Sequence, residues 1–159
     1  MRAPELLIEA HELDQFTCGK PALDSWLKKR ARANHAAGAS RTYVVTDDAN
    51  QVIAYYCISA GGMNHVDAPG PIRRNMPDPI PMAIIGRLAV DQNYQGRGLG
   101  PALLRDAVTR IGQAAHIMGV RGILVQAIDE DAKGFYEAFG FVPSTTTPMI
   151  LILPVAQSK

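Results

Sequence analysis

The sequence predicts an α/β fold, a mixed central β-sheet with helices on both faces, and three observations predict it. Residues 84–104 read as strand, tight loop and helix. Ile84, Ile85, Leu88, Ala89 and Val90 form a buried strand, and Gln95-Gly96-Arg97-Gly98-Leu99-Gly100 then places three glycines in six residues. Leu99, Leu103, Ala107, Ile111, Ala114 and Met118 follow at helical spacing. Second, apolar runs of strand length alternate with stretches of helical period, in the order β, α, ββ, β, α, β, α, β. Third, 159 residues with 47% hydrophobic and 19% charged side chains suit a single domain spanning 1–159 with a full core.

Leu6-Leu7-Ile8 suggests a short first strand, and His11 to Lys20 a polar loop anchored by Phe16. Pro21 suits the first turn of a helix expected to run to about Ala37, where Gly38 stops it. On that helix Leu23, Trp26, Leu27, Arg30 and Asn34 share one face. Lys28, Arg32 and His35 lie on another, with Lys29 at its edge. Arg30 therefore falls in the apolar stripe, either with its stem packed on Trp26 or with its guanidinium aimed into a substrate groove. Lys28, Lys29 and Arg32 form a basic patch of the kind that neutralises RNA phosphates or is simply solvated.

Arg41–Thr46 and Gln51–Ala60 read as a hairpin around Asp47-Asp48-Ala49-Asn50. Residues 61–81 hold Pro69, Pro71, Pro77, Pro79 and Pro81 and are expected to form a long loop rather than a central strand. The long helix after the glycine loop is expected to end near Gly119, before an apolar strand at Gly122–Ile128. Asp129-Glu130-Asp131 opens the next helix at its favoured acidic end, and Gly140 ends it. Met149–Leu153 is expected as an edge strand closing the sheet.

A net charge of +1 supplies no global drive toward nucleic acid, so an RNA-facing surface must be local. Cys18 and Cys57 lack metal-type spacing and read as reduced thiols of a cytoplasmic protein; no metal site is expected. Met1 to Ala10 lacks a signal-peptide pattern, and no apolar run reaches the ~20 residues that span a bilayer.

A glycine loop between a strand and a helix N-terminus is a phosphate cradle, because its amides are unpaired and the helix dipole favours an anion. The dinucleotide pattern would need glycine where Pro101 stands, and the P-loop lysine is absent. Gln95, Gly98 and Gly100 instead fit Q-x-x-G-x-G after L-A-V-D, which resembles the acyl-CoA loop of the GNAT superfamily of N-acetyltransferases. A second motif, Ala132-Lys133-Gly134-Phe135-Tyr136-Glu137-Ala138-Phe139-Gly140-Phe141, resembles the A-x-x-F-Y-x-x-x-G-F end of the same enzymes.

The resemblance implies the GNAT fold and acetyl-CoA as co-substrate, held by Leu88, Ala89, Val90, Gln95, Gly96, Arg97, Gly98, Leu99, Gly100, Pro101 and Phe135. It implies that the central strand splays near Leu88 and Val90, freeing amides for the pantetheine arm and thioester carbonyl. Arg97 either adds charge at the pyrophosphate or is solvated. Phe135, Phe139 and Phe141 read most simply as core. Tyr136 matches the residue that protonates the departing thiolate. A tyrosine of pKa ~10 is suited to that transfer toward a thiolate whose thiol has pKa ~8.5. No general base declares itself; Asp91 and His65 are possible candidates without a motif behind them. A site without a base suits an α-amine, pKa ~7.7 to 8.0, better than a lysine near ~10.4.

The resemblance extends further, through Phe16, Cys18, Gly19, Leu23, Asp24, Trp26 and Leu27, the Ser40-Arg41-Thr42-Tyr43-Val44 segment, and Gly86-Arg87-Leu88-Ala89-Val90-Asp91. Together these look like the GNAT toxins of bacterial type II toxin–antitoxin modules, the TacT and AtaT type. That resemblance implies acetylation of the α-amino group of aminoacyl-tRNA, blocked translation, a cognate ribbon-helix-helix antitoxin and a homodimer. Lys28, Lys29, Arg30 and Arg32 are then the expected tRNA contacts. The alternatives are a GNAT enzyme acting on a small-molecule or protein amine, and a non-catalytic acyl-CoA-binding domain.

Overall fold

The computed structural model describes residues 2–156. The chain forms two compact units, each assembled from two segments. The first holds the residues up to Ser59 together with Gly86–Ala107, and the second holds Ala60–Ile85 and the residues from Val108 onward.

In the first unit, β1 (Glu5–Leu6), β2 (Arg41–Thr46) and the start of β3 (Val52–Met63) run antiparallel. Glu5 lies opposite Val44 and Arg41 opposite Ile58, with a bulge at Val45/Thr46. The end of β4 (Ile80–Val90) belongs to the same unit. Strand alternation sorts the side chains into two clusters. Val44, Tyr55 and Ala89 pack with Phe16, Leu23, Leu27 and Ala31. Val45, Ile53 and Ala54 pack with Leu99 and Leu103, and half-buried Leu88, Val90 and Tyr94 lean on them.

The helix expected over 21–37 is two helices, α1 (Pro21–Lys29) and α2 (Ala31–Ala37). Arg30 sits between them at φ −121°, ψ −30°, yet its N–H still bonds Trp26 O and its carbonyl still accepts from Asn34 N. One residue leaves the helical region while the ladder is maintained across it. Leu27 and Ala31 are both fully buried across this junction, while Arg30 points to solvent. Gly38 ends α2 at φ +77°, in the left-handed region expected of a glycine stop.

In the second unit, the first half of β4 pairs parallel with β5 (Gly122–Gln126), Met82 opposite Gly122 and Ile85 opposite Val125. β5 pairs antiparallel with β7 (Ile150–Pro154), and β7 with β6 (Val142–Pro143). The strand order is β1-β2-β3-β4-β5-β7-β6, a mixed sheet. The last strand is therefore interior, not the expected edge. Ser144 N bonds Ile150 O at 2.7 Å, folding the chain back so that a two-residue strand forms outside β7. A strand that short carries no periodic signal.

The proline-rich stretch is shorter than expected. β3 continues to Met63 and β4 begins at Ile80, with a 3-10 turn at His65–Asp67 and α3 (Gly70–Arg73) between them. Pro81 is tolerated as the second residue of its strand, where its missing N–H costs little and its carbonyl still accepts from Arg121 N at 2.9 Å. The helix after the glycine loop, α4 (Leu99–Ala114), ends before Gly119. Ala114 O accepts from both Ile117 N and Met118 N, tightening the chain out of the helix. Met118, expected on the buried face, is 51% exposed. Helix α5 (Glu130–Phe139) starts where the acidic run predicts, with Asp129 accepting the Ala132 N–H at 2.8 Å, and Gly140 caps its end.

Candidate functional site

In the first unit the site begins with β4. Asp91 N donates to Ile53 O at 2.8 Å, so Asp91 faces β3. The two-residue period of a strand then turns the Leu88 and Val90 N–H groups away from β3. The parallel ladder that occupies β4 has its last rung at Ile85. Leu88 and Val90, expected as buried core, are half-buried. This is the strand geometry that an extended ligand arm uses, backbone to backbone.

A 3-10 turn at Gln92–Tyr94 leads from β4 into the glycine loop, and Asp91 caps it by accepting Asn93 N at 2.9 Å. Gly96 and Gly98 take φ +77° and +79°, which only glycine adopts without strain. A Cβ at either position would meet no protein atom within 4 Å, so the space above the loop is open. Residues 95–98 are exposed and Leu99 is buried, anchoring the helix start. Ala102 N closes the first helical bond on Gly98 O. Pro101 removes one donor from that turn, and among the described residues the amides of Gly98, Leu99 and Gly100 form no hydrogen bond within the protein. Unpaired amides at the start of a 16-residue helix suit a pyrophosphate.

The Gln95 side chain is engaged within the protein. Its amide donates to Val90 O at 2.8 Å and to Cys18 O at 2.9 Å, so the side chain ties the loop to the strand and to the N-terminal segment. Arg97 lies over the Tyr94 ring at 5.1 Å from its centroid, its other face left to solvent.

In the second unit, Tyr136 is 7% exposed on α5. Phe135 and Phe141 meet its ring edge to face at 5.3 and 5.5 Å. Of the three phenylalanines expected in the core, only Phe141 is fully buried; Phe135 and Phe139 are half-buried. The two possible bases are occupied. Asp91 accepts Thr17 N at 3.0 Å as well as Asn93 N, and His65 Nε2 lies 2.8 Å from Met76 O and 2.9 Å from Pro77 O. Among the described residues, no three His, Cys, Asp or Glu side chains gather as metal ligands.

The basic helices divide the expected tRNA contacts. Lys28, Lys29 and Arg30 are exposed. Arg32 is half-buried, and its guanidinium donates to the backbone carbonyls of His11 and, at 3.4 Å, Glu9. It is a structural tie, not part of a solvated patch. Trp26 is covered by Arg87, whose Cζ stands 4.7 Å from the ring centroid, and not by the Arg30 stem. Trp26 in turn stacks on Tyr55 at 6.0 Å and 9°. Arg87 was legible only as part of the G-R-L-A-V-D run; its place on the Ala89 side of the strand was the available signal.

Both cysteines are free and buried. Burial, then a hydrogen bond with Asp24, pushes the Cys18 thiol up to about 11. Burial raises Cys57 as well, partly offset by the Arg87 charge beside it. Neither is a nucleophile at neutral pH.

Residues 38–143 match the family described as "Acetyltransferase (GNAT) domain". Over 157 residues, 99% of this chain and 94% of the relative, the sequence is 48% identical to a tRNA-acetylating toxin of Mycobacterium tuberculosis (strain ATCC 25618 / H37Rv). The fold matches AtaT complexed with acetyl-methionyl-tRNAfMet at a TM-score of 0.89 and 28% identity, covering 96% of this chain and 94% of that one. It also matches an AtaT mutant toxin bound to the C-terminus of the antitoxin AtaR and acetyl-CoA, at 0.81 and 28%, covering 96% and 92%.

Proposed function

This chain belongs to the GNAT acetyltransferase family, and from that premise we propose that it transfers the acetyl group of acetyl-CoA to the α-amino group of aminoacyl-tRNA and so blocks translation. Kinship over nearly the whole chain with a toxin named for acetylating tRNA carries this reading. The chain works as one acetyltransferase domain over residues 1–159. A cognate antitoxin of the ribbon-helix-helix type, a homodimer and a cytoplasmic setting belong to the same reading. No helix among the described residues is long and apolar enough to cross a membrane.

The residues fit acetyl-CoA. The open space above Gly96 and Gly98 and the unpaired amides of Gly98, Leu99 and Gly100 suit its pyrophosphate, and the Leu88 and Val90 amides suit its pantetheine arm. Acetyl-CoA supplies an activated thioester. The Leu88 N–H polarises the thioester carbonyl, a donor held in place before reaction begins. The α-amine attacks unassisted, because at pKa ~7.7 to 8.0 a useful fraction is uncharged at neutral pH. A C–N bond forms, the C–S bond breaks, the nitrogen releases a proton to water, and the Tyr136 hydroxyl gives its proton to the leaving sulfur.

Labelled acetyl-CoA offered with a pool of charged tRNAs, uncharged tRNA and free amino acids tests the reading. Label is expected on charged tRNA alone. Label on free amines instead would move the function to a small-molecule acetyltransferase.

A further inference from the structure

We propose that Arg87 binds RNA: its guanidinium, laid on Trp26, receives a phosphodiester of the single-stranded 3′ end that carries the aminoacyl group. The proposal rests on the tRNA reading above and adds to it a residue on the strand itself. On β4, Arg87 shares the face of Ala89, which packs in the cluster of Leu23, Leu27 and Tyr55. It precedes by one residue the Leu88 amide assigned to the thioester.

The platform beneath it is rigid. Trp26 stacks on Tyr55, and the Tyr55 hydroxyl donates to Leu23 O at 2.7 Å. Phe16 closes on Tyr55 edge to face at 5.4 Å. The guanidinium is thus held by its flat face and by a hydrogen bond to the Cys57 thiol, and the rest of its in-plane fork of donors is left for an acceptor such as phosphate.

No carboxylate neutralises it. Arg87 forms no ion pair among the described residues, and its neighbours, the indole and the Cys57 thiol, carry no charge. The one acidic side chain on α1, Asp24, spends its Oδ1 on the Cys18 N–H at 2.9 Å. A half-buried cation without a counter-ion is costly unless an anion completes it. Lys29 at the end of α1 and Arg30 at the junction after it, three and four residues beyond Trp26, are both exposed and add positive charge there. The glycine loop, with Arg97 packed on Tyr94, is a separate set of donors for the acetyl-CoA phosphates.

The test measures binding of a short single-stranded RNA ending in cytidine-cytidine-adenosine across a salt series, for the unaltered protein, Arg87→Met and Arg87→Lys. Methionine maintains an apolar stem over Trp26, and thermal melting verifies the fold. Arg87→Met should weaken binding about tenfold and reduce the slope of log K against log salt by about 0.7, one phosphate contact on a single strand. Arg87→Lys should restore the slope while binding a few-fold more weakly, because it keeps the charge and loses the fork. An unchanged slope in Arg87→Met overturns the proposal. So does a Lys variant that behaves like Met, no measurable RNA binding by the unaltered protein, or a loss confined to acetyl-CoA binding. The readout uses uncharged RNA, so its failure is distinct from failure of label transfer to charged tRNA.

Discussion

At the scale of the residue, Tyr136 and Arg32 show opposite outcomes of the same sequence reasoning. Tyr136 is buried, and the rings of Phe135 and Phe141 meet it edge to face and fix its orientation. Replacing it with phenylalanine removes one oxygen and leaves the packing in place. Tyr136→Phe should lower the rate of acetyl transfer about 10²–10⁴-fold, the range of a positioned proton donor, with acetyl-CoA affinity nearly unchanged. Single-turnover kinetics and calorimetric titration check the two halves separately, and full turnover in this variant removes the donor role. Arg32 carries the same charge as Lys28 and sits on the same predicted face. Its reach to the His11 and Glu9 carbonyls withdraws it from the surface. Helical periodicity places a side chain on a face but cannot foresee a carbonyl from a loop more than twenty residues earlier.

At the scale of the element, the strand–loop–helix unit depends on Gln95. The glutamine is exposed, yet its amide makes one bond across a long gap in sequence, to Cys18, and one back to the strand end at Val90. Removing both bonds leaves the glycine loop without its tie at about 1 kcal/mol per bond. Gln95→Leu should therefore raise the KM for acetyl-CoA about tenfold and change kcat little, measured by steady-state kinetics. An unchanged KM would show that the glycines alone set the loop.

Much of this unit was legible. The glycine spacing, the acidic start of α5 and the glycine stops at Gly38 and Gly140 are local signals, because each depends on the backbone freedom or hydrogen bonding of a few adjacent residues. The break at Arg30 was not legible, since no proline or glycine marks it. The exposure of Leu88 and Val90 was hidden as well: an apolar strand reads as buried whether its edge meets another strand or a ligand. Arg87 on Trp26 joins residues sixty-one positions apart, beyond any periodicity.

At the scale of the whole molecule, stability against pH follows from groups outside the proposed chemistry. Burial, then the Arg41 charge, lowers the pKa of His35 below its ordinary 6.5, and its Nδ1 accepts the Thr42 N–H at 3.1 Å. Below 6.5 the unfolded chain therefore binds the extra proton first. The His35 contribution is complete above that pH and lost as pH falls through the folded value. Cys18 works in the opposite direction. Its thiol is raised from 9.0 to about 11, so its contribution is complete below about 9 and lost as pH rises toward 11. Buried Tyr55 and Cys57 are raised too and add to the alkaline loss. The melting temperature should form a plateau between about pH 6.5 and 9 and fall on both sides, read by scanning calorimetry. A melting temperature that climbs from pH 9 to 11 would contradict the alkaline half.

The interior position of β7 bears on how such an enzyme is made. The final strand of the chain lies between β5 and β6, so the second unit cannot close its sheet until residues 150–154 have left the ribosome. The first unit, with its glycine loop, needs only the residues up to Ala107. Synthesis thus delivers the glycine loop well before the sheet beneath Tyr136 can close. Because β7 is an inner strand, the second unit closes its sheet only once residues 150–154 have emerged, about fifty residues after the glycine loop.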